Sequence, residues 1–189
     1  MSYCRRIDID CEDFWSPHFA EVLSMTSNLR SVTCSIYLSQ LNSLLDAVSL
    51  KRVSPCSLSI NIIPDKKLRS AAAGPSGLQS FSIRWLPNHS GVDYFTTQNA
   101  TTSLYELCWE LIQPSIDTLR DLRLAFQVGH HTGFSVLLKP VNVHTFHYEI
   151  MGKSTELITQ LPKIVPHVKN LSLLWKSQHR RPVFKVSQC

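Results

Sequence analysis

An α/β fold with a curved parallel sheet and helices on its convex side is what three features of the chain predict. The first is a recurring apolar spacing. Leu119, Leu122 and Leu124 form an LxxLxL unit, Val143, Phe146 and Tyr148 repeat it with bulkier residues, and Val168, Leu171 and Leu173 repeat it again. The second is the interval: successive units begin about 24 and about 25 residues apart, inside the roughly 20–29 residues of a leucine-rich repeat. Third, polar residues fill the places between the apolar ones, as on strands with one wet face. A strand of about five residues cannot bury its apolar side alone, so neighbouring units must stack into one core. Right-handed connections then make the strands parallel, and the expected architecture is a leucine-rich-repeat-like solenoid.

Composition sets the bounds. The 189 residues suffice for one domain, taken as 1–189, with its best repeats at 119–175, an irregular insertion at about 86–100 and a basic tail at 176–189. Hydrophobic residues at 43% against 17% charged argue against disorder and leave a sparsely charged surface. No run of about 18 apolar residues exists to span a membrane. Met1 to Arg6 lead straight into an alternating segment without a signal-peptide core, which points to the cytoplasm or nucleus. Cys4, Cys11, Cys34, Cys56, Cys108 and Cys189 contain no CxxC pair and fit reduced, mostly buried thiols. Asn88, Asn99 and Asn170 stand in glycosylation sequons that mean little without export.

The elements follow in order. Ile7 and Ile9 alternate with Arg6, Asp8 and Asp10, as on a half-buried strand. Ser16-Pro17 offers a helix start, with Phe19, Val22, Leu23 and Met25 at helical spacing, and Ser27-Asn28 breaks it. Leu29, Val32 and Cys34 restore the LxxLxL spacing, and Ile36 continues it. Tyr37 to Val48 is amphipathic, with Leu41, Leu44, Leu45 and Val48 on one side. Leu50 and Val53 begin a unit whose third apolar position is Pro55, which should distort a strand; Leu58, Ile60 and Ile62 offer a second register just afterwards. Asp65 to Gly77 reads as a short helix and loop. Leu78, Phe81, Ile83 and Trp85 resume the pattern, but Leu119 lies 41 residues after Leu78, too far for one repeat. Pro87 to Thr97 is expected to be an inserted loop, and Thr101 to Ser103 to cap a helix carrying Leu104, Leu107, Cys108, Leu111 and Ile112 until Pro114 ends or kinks it. Gly129 to Gly133 reads as a turn, Phe134 to Leu138 as the approach to the Val143 unit, and Thr155 to Val165 as a last helix interrupted by Pro162. The Val168 strand is expected to end at Trp175, with Pro182 to Val186 a final irregular strand or tail.

Apolar residues turned inward place their neighbours outward. One outward column runs Arg6, Ser31, Ser80, Asp121, Thr145, Asn170; the next Asp8, Thr33, Ser82, Arg123, His147, Ser172; a third Asp10, Ser35, Arg84, Ala125, Glu149, Leu174. The predicted protein-binding residues are Asp121, Arg123, Thr145, His147, Glu149, Asn170 and Ser172, on the concave face of the most regular strands.

The phrases Ser27 to Val32, Leu111 to Leu124 and Val168 to Leu173 resemble the degenerate leucine-rich repeats of fungal F-box-type proteins, across most of Leu29 to Trp175. That resemblance implies a horseshoe solenoid that captures a protein substrate for a cullin-RING ubiquitin ligase. The pattern departs in two places. No LPxE-type F-box helix precedes the repeats, so adaptor binding requires an F-box outside this chain. The position that commonly holds Asn or Cys after each unit is Tyr37, Leu86, Gln127, Met151 and Lys176 instead.

Other chemistry is thinly represented, and the chain is expected to be no enzyme and to need no cofactor or metal. His130, His131, His144 and His147 are the best metal candidates, but adjacent histidines on a strand diverge and no cysteine or carboxylate motif completes a site. Asp8, Asp10, Glu12 and Asp13 lack the glycine and spacing of a calcium loop. Gly74-Pro75-Ser76-Gly77 lacks the lysine of a phosphate loop, there is no GxSxG, and Cys108 sits on an apolar helical face. The net charge of +5 draws on Lys176, Arg180, Arg181 and Lys185 near the C-terminus, with His179 beside them. These residues support a rival nucleic-acid or phosphate-binding function. A third possibility is a structural fragment without independent activity.

Overall fold

Alternation of apolar with small polar residues converts eight segments of the described residues into strands, and each of these after the first pairs with the one before it in sequence. The computed structural model describes residues 6–10, 26, 29–49, 55–63, 73–86, 107–126, 140–151, 156–176 and 183–187. The strands are β1 (Arg6–Asp10), β2 (Ser31–Tyr37), β3 (Ser57–Ile63), β4 (Ser80–Trp85), β5 (Asp121–Phe126), β6 (Thr145–Met151), β7 (Asn170–Lys176) and β8 (Val183–Ser187). From β1 to β7 all pairings are parallel. The protein is thus α/β, with a sheet whose spatial order is its sequence order.

Register is constant across the sheet. Arg6, Ser31, Ser57, Ser80, Asp121, Thr145 and Asn170 form one row, with separations of 25, 26, 23, 41, 24 and 25 residues along the chain. The 41-residue interval is therefore a single enlarged connection between adjacent strands. Residues 107–112 of that connection are helical (α2), and a 3-10 turn at Gln113–Ser115 follows, with Pro114 where the α-helix stops. Helix α1 (Leu41–Ser49) links β2 to β3, and α3 (Glu156–Ile164) links β6 to β7.

One face of the sheet carries the core. Val32, Cys34 and Ile36, then Leu58, Ile60 and Ile62, then Phe81, Ile83 and Trp85, then Leu122 and Leu124, then Phe146 and Tyr148 are all buried in one cluster. Leu41, Leu44, Leu45 and Val48 of α1, Leu107, Cys108, Leu111 and Ile112 of α2, and Leu161 and Ile164 of α3 belong to the same cluster. Three helices and the sheet thus bury one another's apolar faces, at about 1.5–3 kcal/mol for each fully buried large side chain. The rings of Phe146 and Tyr148 lie nearly parallel with centroids 6.1 Å apart, filling with aromatic volume what leucines fill in β5.

Three expectations need correction. The strand near Pro55 takes the second register, with Leu58, Ile60 and Ile62 inward. Pro55 is buried two residues before the strand, in the place that Leu29, Leu78, Leu119 and Val143 hold elsewhere. At that place the N–H serves acceptors outside the strand ladder: Leu78 N–H donates to Ser115 Oγ, Leu119 N–H to Ser115 O and Val143 N–H to Val141 O. A proline there forfeits no bond between strands, so it distorts nothing. Second, α3 runs through Pro162 to Ile164: the exposed proline forfeits the one helical bond its N–H would have made to the carbonyl four residues back, and the helix ends two residues later. Third, β8 is antiparallel to β7. Only residues 177–182 separate them, too few for the crossover of a dozen or more residues that a parallel return needs.

Several expected features lie outside the described residues: the helix around Phe19 to Met25, the Asp65 part of the polar stretch, the loop at Pro87 to Thr97, the cap at Thr101 to Ser103, the turn at Gly129 to Gly133, and Phe134 to Leu138. No helix among the described residues is long and apolar enough to cross a membrane.

A buried polar junction holds the enlarged connection in step with the rest. Ser115, 1% exposed, accepts from the Leu78 N–H at 2.9 Å and donates to Pro75 O at 2.6 Å. Thr118 Oγ1 donates to Leu78 O at 2.8 Å. Nearby, the Gly74 N–H donates to Glu110 O at 3.3 Å, and a Cβ on Gly74 would collide with the backbone carbonyl of Leu111. Ser115→Ala should destabilise the protein by about 1–3 kcal/mol in urea denaturation, because it strands a buried N–H and a buried carbonyl. Leu58→Ala should cost about 2–5 kcal/mol; a loss below about 0.5 kcal/mol would contradict the register assigned to β3.

Candidate functional site

The opposite face of the sheet is built from the alternate residues, and these are short and polar over β2 to β4. Ser31, Thr33 and Ser35 stand beside Ser57, Ser59 and Asn61, which stand beside Ser80 and Ser82. Asn61 Nδ2 donates to Ser35 Oγ at 3.2 Å, so even this small-residue floor is tied from strand to strand. Side chains of this size keep the face shallow.

Charge enters at β4 and grows across β5 and β6. Arg84 ends the polar row of β4, and its register partner is Ala125. Arg123 on β5 is flanked by Ser82 on one side and His147 on the other. Both arginines are exposed, while Asp121 and His147 are partly buried. At the far end of the sheet, Arg6 and Asp8 satisfy each other at 2.8 Å, and the guanidinium holds the Asp8 carboxyl below its ordinary range.

All seven residues expected to bind a partner lie on this face. Asp121, Thr145 and Asn170 occupy one row, Arg123, His147 and Ser172 the next, and Glu149 the third, between Ala125 and Leu174. Asn170 and Arg123 are exposed, and Thr145 and Ser172 partly so. Glu149 differs, being only 4% exposed. Its place in the row is as expected, but its side chain is not available as a surface contact. Ser57, Ser59 and Asn61 join the face although the spacing around Pro55 left their strand unassigned; the alternation of Leu58, Ile60 and Ile62 was the signal for them. Arg84 lies in the third outward column and is not among the seven residues predicted to bind.

The other candidates separate. Cys108 is fully buried on α2, and burial pushes its thiol well above the usual range, so it is neither reached nor readily ionised. Cys34, Cys56 and Cys108 are free thiols. His144 precedes β6 and His147 lies within it. His130, His131, Glu12 and Asp13 lie outside the described residues, among which no cluster of three metal-ligating side chains occurs. Of the basic C-terminal residues, Lys176 and Lys185 fall in β7 and β8, and His179, Arg180 and Arg181 are outside the described residues.

The chain matches no protein-family model, no curated protein and no solved structure. The chemistry of the face therefore stands on its own residues.

Partial burial lowers the His147 pKa below the usual 6.5, and the Arg123 guanidinium lowers it further. The Glu149 carboxylate acts in the opposite direction, and Arg84 adds to the lowering. Between that lowered value and 6.5 the unfolded chain binds more protons at this residue than the folded one. Its contribution to stability is thus full above pH 6.5 and lost as pH falls through that window. His147→Gln should flatten this part of the stability–pH profile. In an NMR titration the His147 ring should show a midpoint below 6.5 that rises in Arg123→Gln; a midpoint at or above 6.5 would contradict the electrostatics of the face.

Proposed function

We propose that this protein is a leucine-rich-repeat-type solenoid that binds another protein through the open face of its sheet. The observation that carries the proposal is the contrast between the two faces. One is closed by α1, α2 and α3 into a single core. The other carries register-aligned rows of hydroxyl, amide and charged groups over seven parallel strands, with Ser35, Ala125 and Glu149 of the third row buried. The near-constant spacing of 23 to 26 residues between most successive strands supports the solenoid, since it is the length of one strand-and-return unit. Rigid strands hold such side chains in fixed positions, which lowers the entropy lost on binding an extended surface. In keeping with the F-box-type resemblance, the bound protein is a substrate presented to a cullin-RING ubiquitin ligase, in the cytoplasm or nucleus, with the F-box supplied outside this chain.

A pair of variants tests the face. Arg123→Glu combined with Asn170→Arg alters exposed residues on two rows, while Asp46→Lys alters an exposed residue of α1 on the opposite side. Glu149 is left intact, because a lysine at a site 4% exposed would bury an unpaired charge. In affinity capture with quantitative mass spectrometry, proteins retained by the wild type should fall by about tenfold or more with the double variant and persist with Asp46→Lys. Both variants should melt close to the wild type, because exposed substitutions of this kind shift stability by about 0.5 kcal/mol or less. Unchanged capture by the double variant would remove the open face as the binding surface.

A further inference from the structure

The charge on the open face narrows the kind of protein it fits. Arg84 and Arg123 are exposed cations on adjacent strands, and among the described residues neither is paired with a carboxylate. The residues beside them in register are Asn61 and Ala125 for Arg84, and Ser82 and His147 for Arg123. None of these four neighbours carries a carboxylate that could neutralise a guanidinium. Glu149, the nearest acidic residue in the Arg84 row, is almost fully buried and has interactions of its own. Asp121 is partly buried and lies on the β5 side away from the Arg84 row, towards the start of the strand.

Resting on the reading of this face as a protein-binding surface, we propose that its occupant is an extended acidic segment of the partner protein, with carboxylates at alternate residues seated on Arg84 and Arg123. The two arginines sit on neighbouring strands, offset by two residues along them. Strand spacing and rise place their Cα atoms about 8 Å apart. Same-side residues of an extended peptide recur about every 7 Å, so consecutive same-side carboxylates reach both guanidiniums without distorting the peptide. Each guanidinium can take a carboxylate through two parallel hydrogen bonds. Ser59, Ser82 and Thr145 hold register positions on the same face next to the pair, and their hydroxyls can donate to the peptide's carbonyls. A floor of serines admits a peptide backbone where longer side chains would hold it off.

The full chain can be tested directly by fluorescence anisotropy with four labelled probes of equal length: peptides with glutamate, with lysine and with phosphoserine at alternate positions, and a single-stranded RNA. The glutamate peptide should bind saturably and weaken as salt rises, as expected for exposed charge pairs. Arg84→Gln and Arg123→Gln should each weaken it by about tenfold, while Arg120→Gln, an exposed arginine just ahead of β5 and off the face, should leave it unchanged. Thermal melts matching the wild type establish that the variants are folded. Absence of saturable binding, equal loss in Arg120→Gln, or tighter binding of the lysine peptide or the RNA overturns the proposal. Preference by about tenfold for a phosphoserine peptide of the same spacing overturns the carboxylate class as well. If the glutamate peptide fails while captured proteins are still lost with the Arg123→Glu and Asn170→Arg double variant, the acidic segment is wrong and the protein-binding face survives.

Discussion

One backbone interaction, repeated from strand to strand, sets everything else. The carbonyl of the residue ahead of β3, β4, β5 and β6 accepts two N–H groups from the next unit. Cys56 O takes Gln79 and Ser80 at 2.7 and 3.0 Å, Gln79 O takes Arg120 and Asp121 at 2.7 and 3.0 Å, Arg120 O takes His144 and Thr145 at 2.8 and 3.0 Å, and His144 O takes Lys169 and Asn170 at 2.8 and 3.0 Å. Each such carbonyl locks the starting residue of the following strand. Because side chains alternate along a strand, a one-residue slip at any of these points would send the whole apolar set of that strand to the wet face. The carbonyl row and the hydrophobic effect therefore enforce the same register.

That agreement explains how so irregular a chain keeps so regular a sheet. The connection between β4 and β5 is much longer than the others, yet Gln79 O still meets Arg120 and Asp121. Ser115 and Thr118 make this possible by hydrogen-bonding the backbone at Pro75 and Leu78. Extra chain can be accommodated away from the junction because loop closure grows costly only slowly with length. A buried serine in a turn, satisfied on both its donor and acceptor sides, matters more here than any helix propensity.

The two faces follow as consequences. Once register is set, apolar residues of every strand share one side with the helices, and the alternate residues are left together on the other. Their chemistry changes along the sheet, from hydroxyls and an amide on β2 and β3 to guanidinium, carboxylate and imidazole groups on β4 to β6. His147 registers that environment in its lowered pKa, and it stands directly opposite Arg123. Rows of this kind suit recognition of an extended surface, since each strand contributes one side chain at a fixed spacing to each row.

Much of the sheet was legible in the residues themselves. The LxxLxL spacing located β2, β4, β5, β6 and β7, and alternation alone located β1 and placed the seven residues expected to bind on one face, of which Glu149 is buried. Periodicity does this because it records which side chains water must not reach. Pro55 misled in part, since a proline's effect depends on whether its N–H was needed, and that is decided by a neighbouring chain segment. The burial of Glu149, the passage of α3 through Pro162 and the antiparallel return of β8 were likewise settled only by tertiary structure. The sequence by itself determined which residues face the core, because the spacing of apolar side chains is a local property. Only the assembled structure decided how far each polar residue stands from water and which charges share a row, because both depend on strands brought together from 23 to 41 residues away.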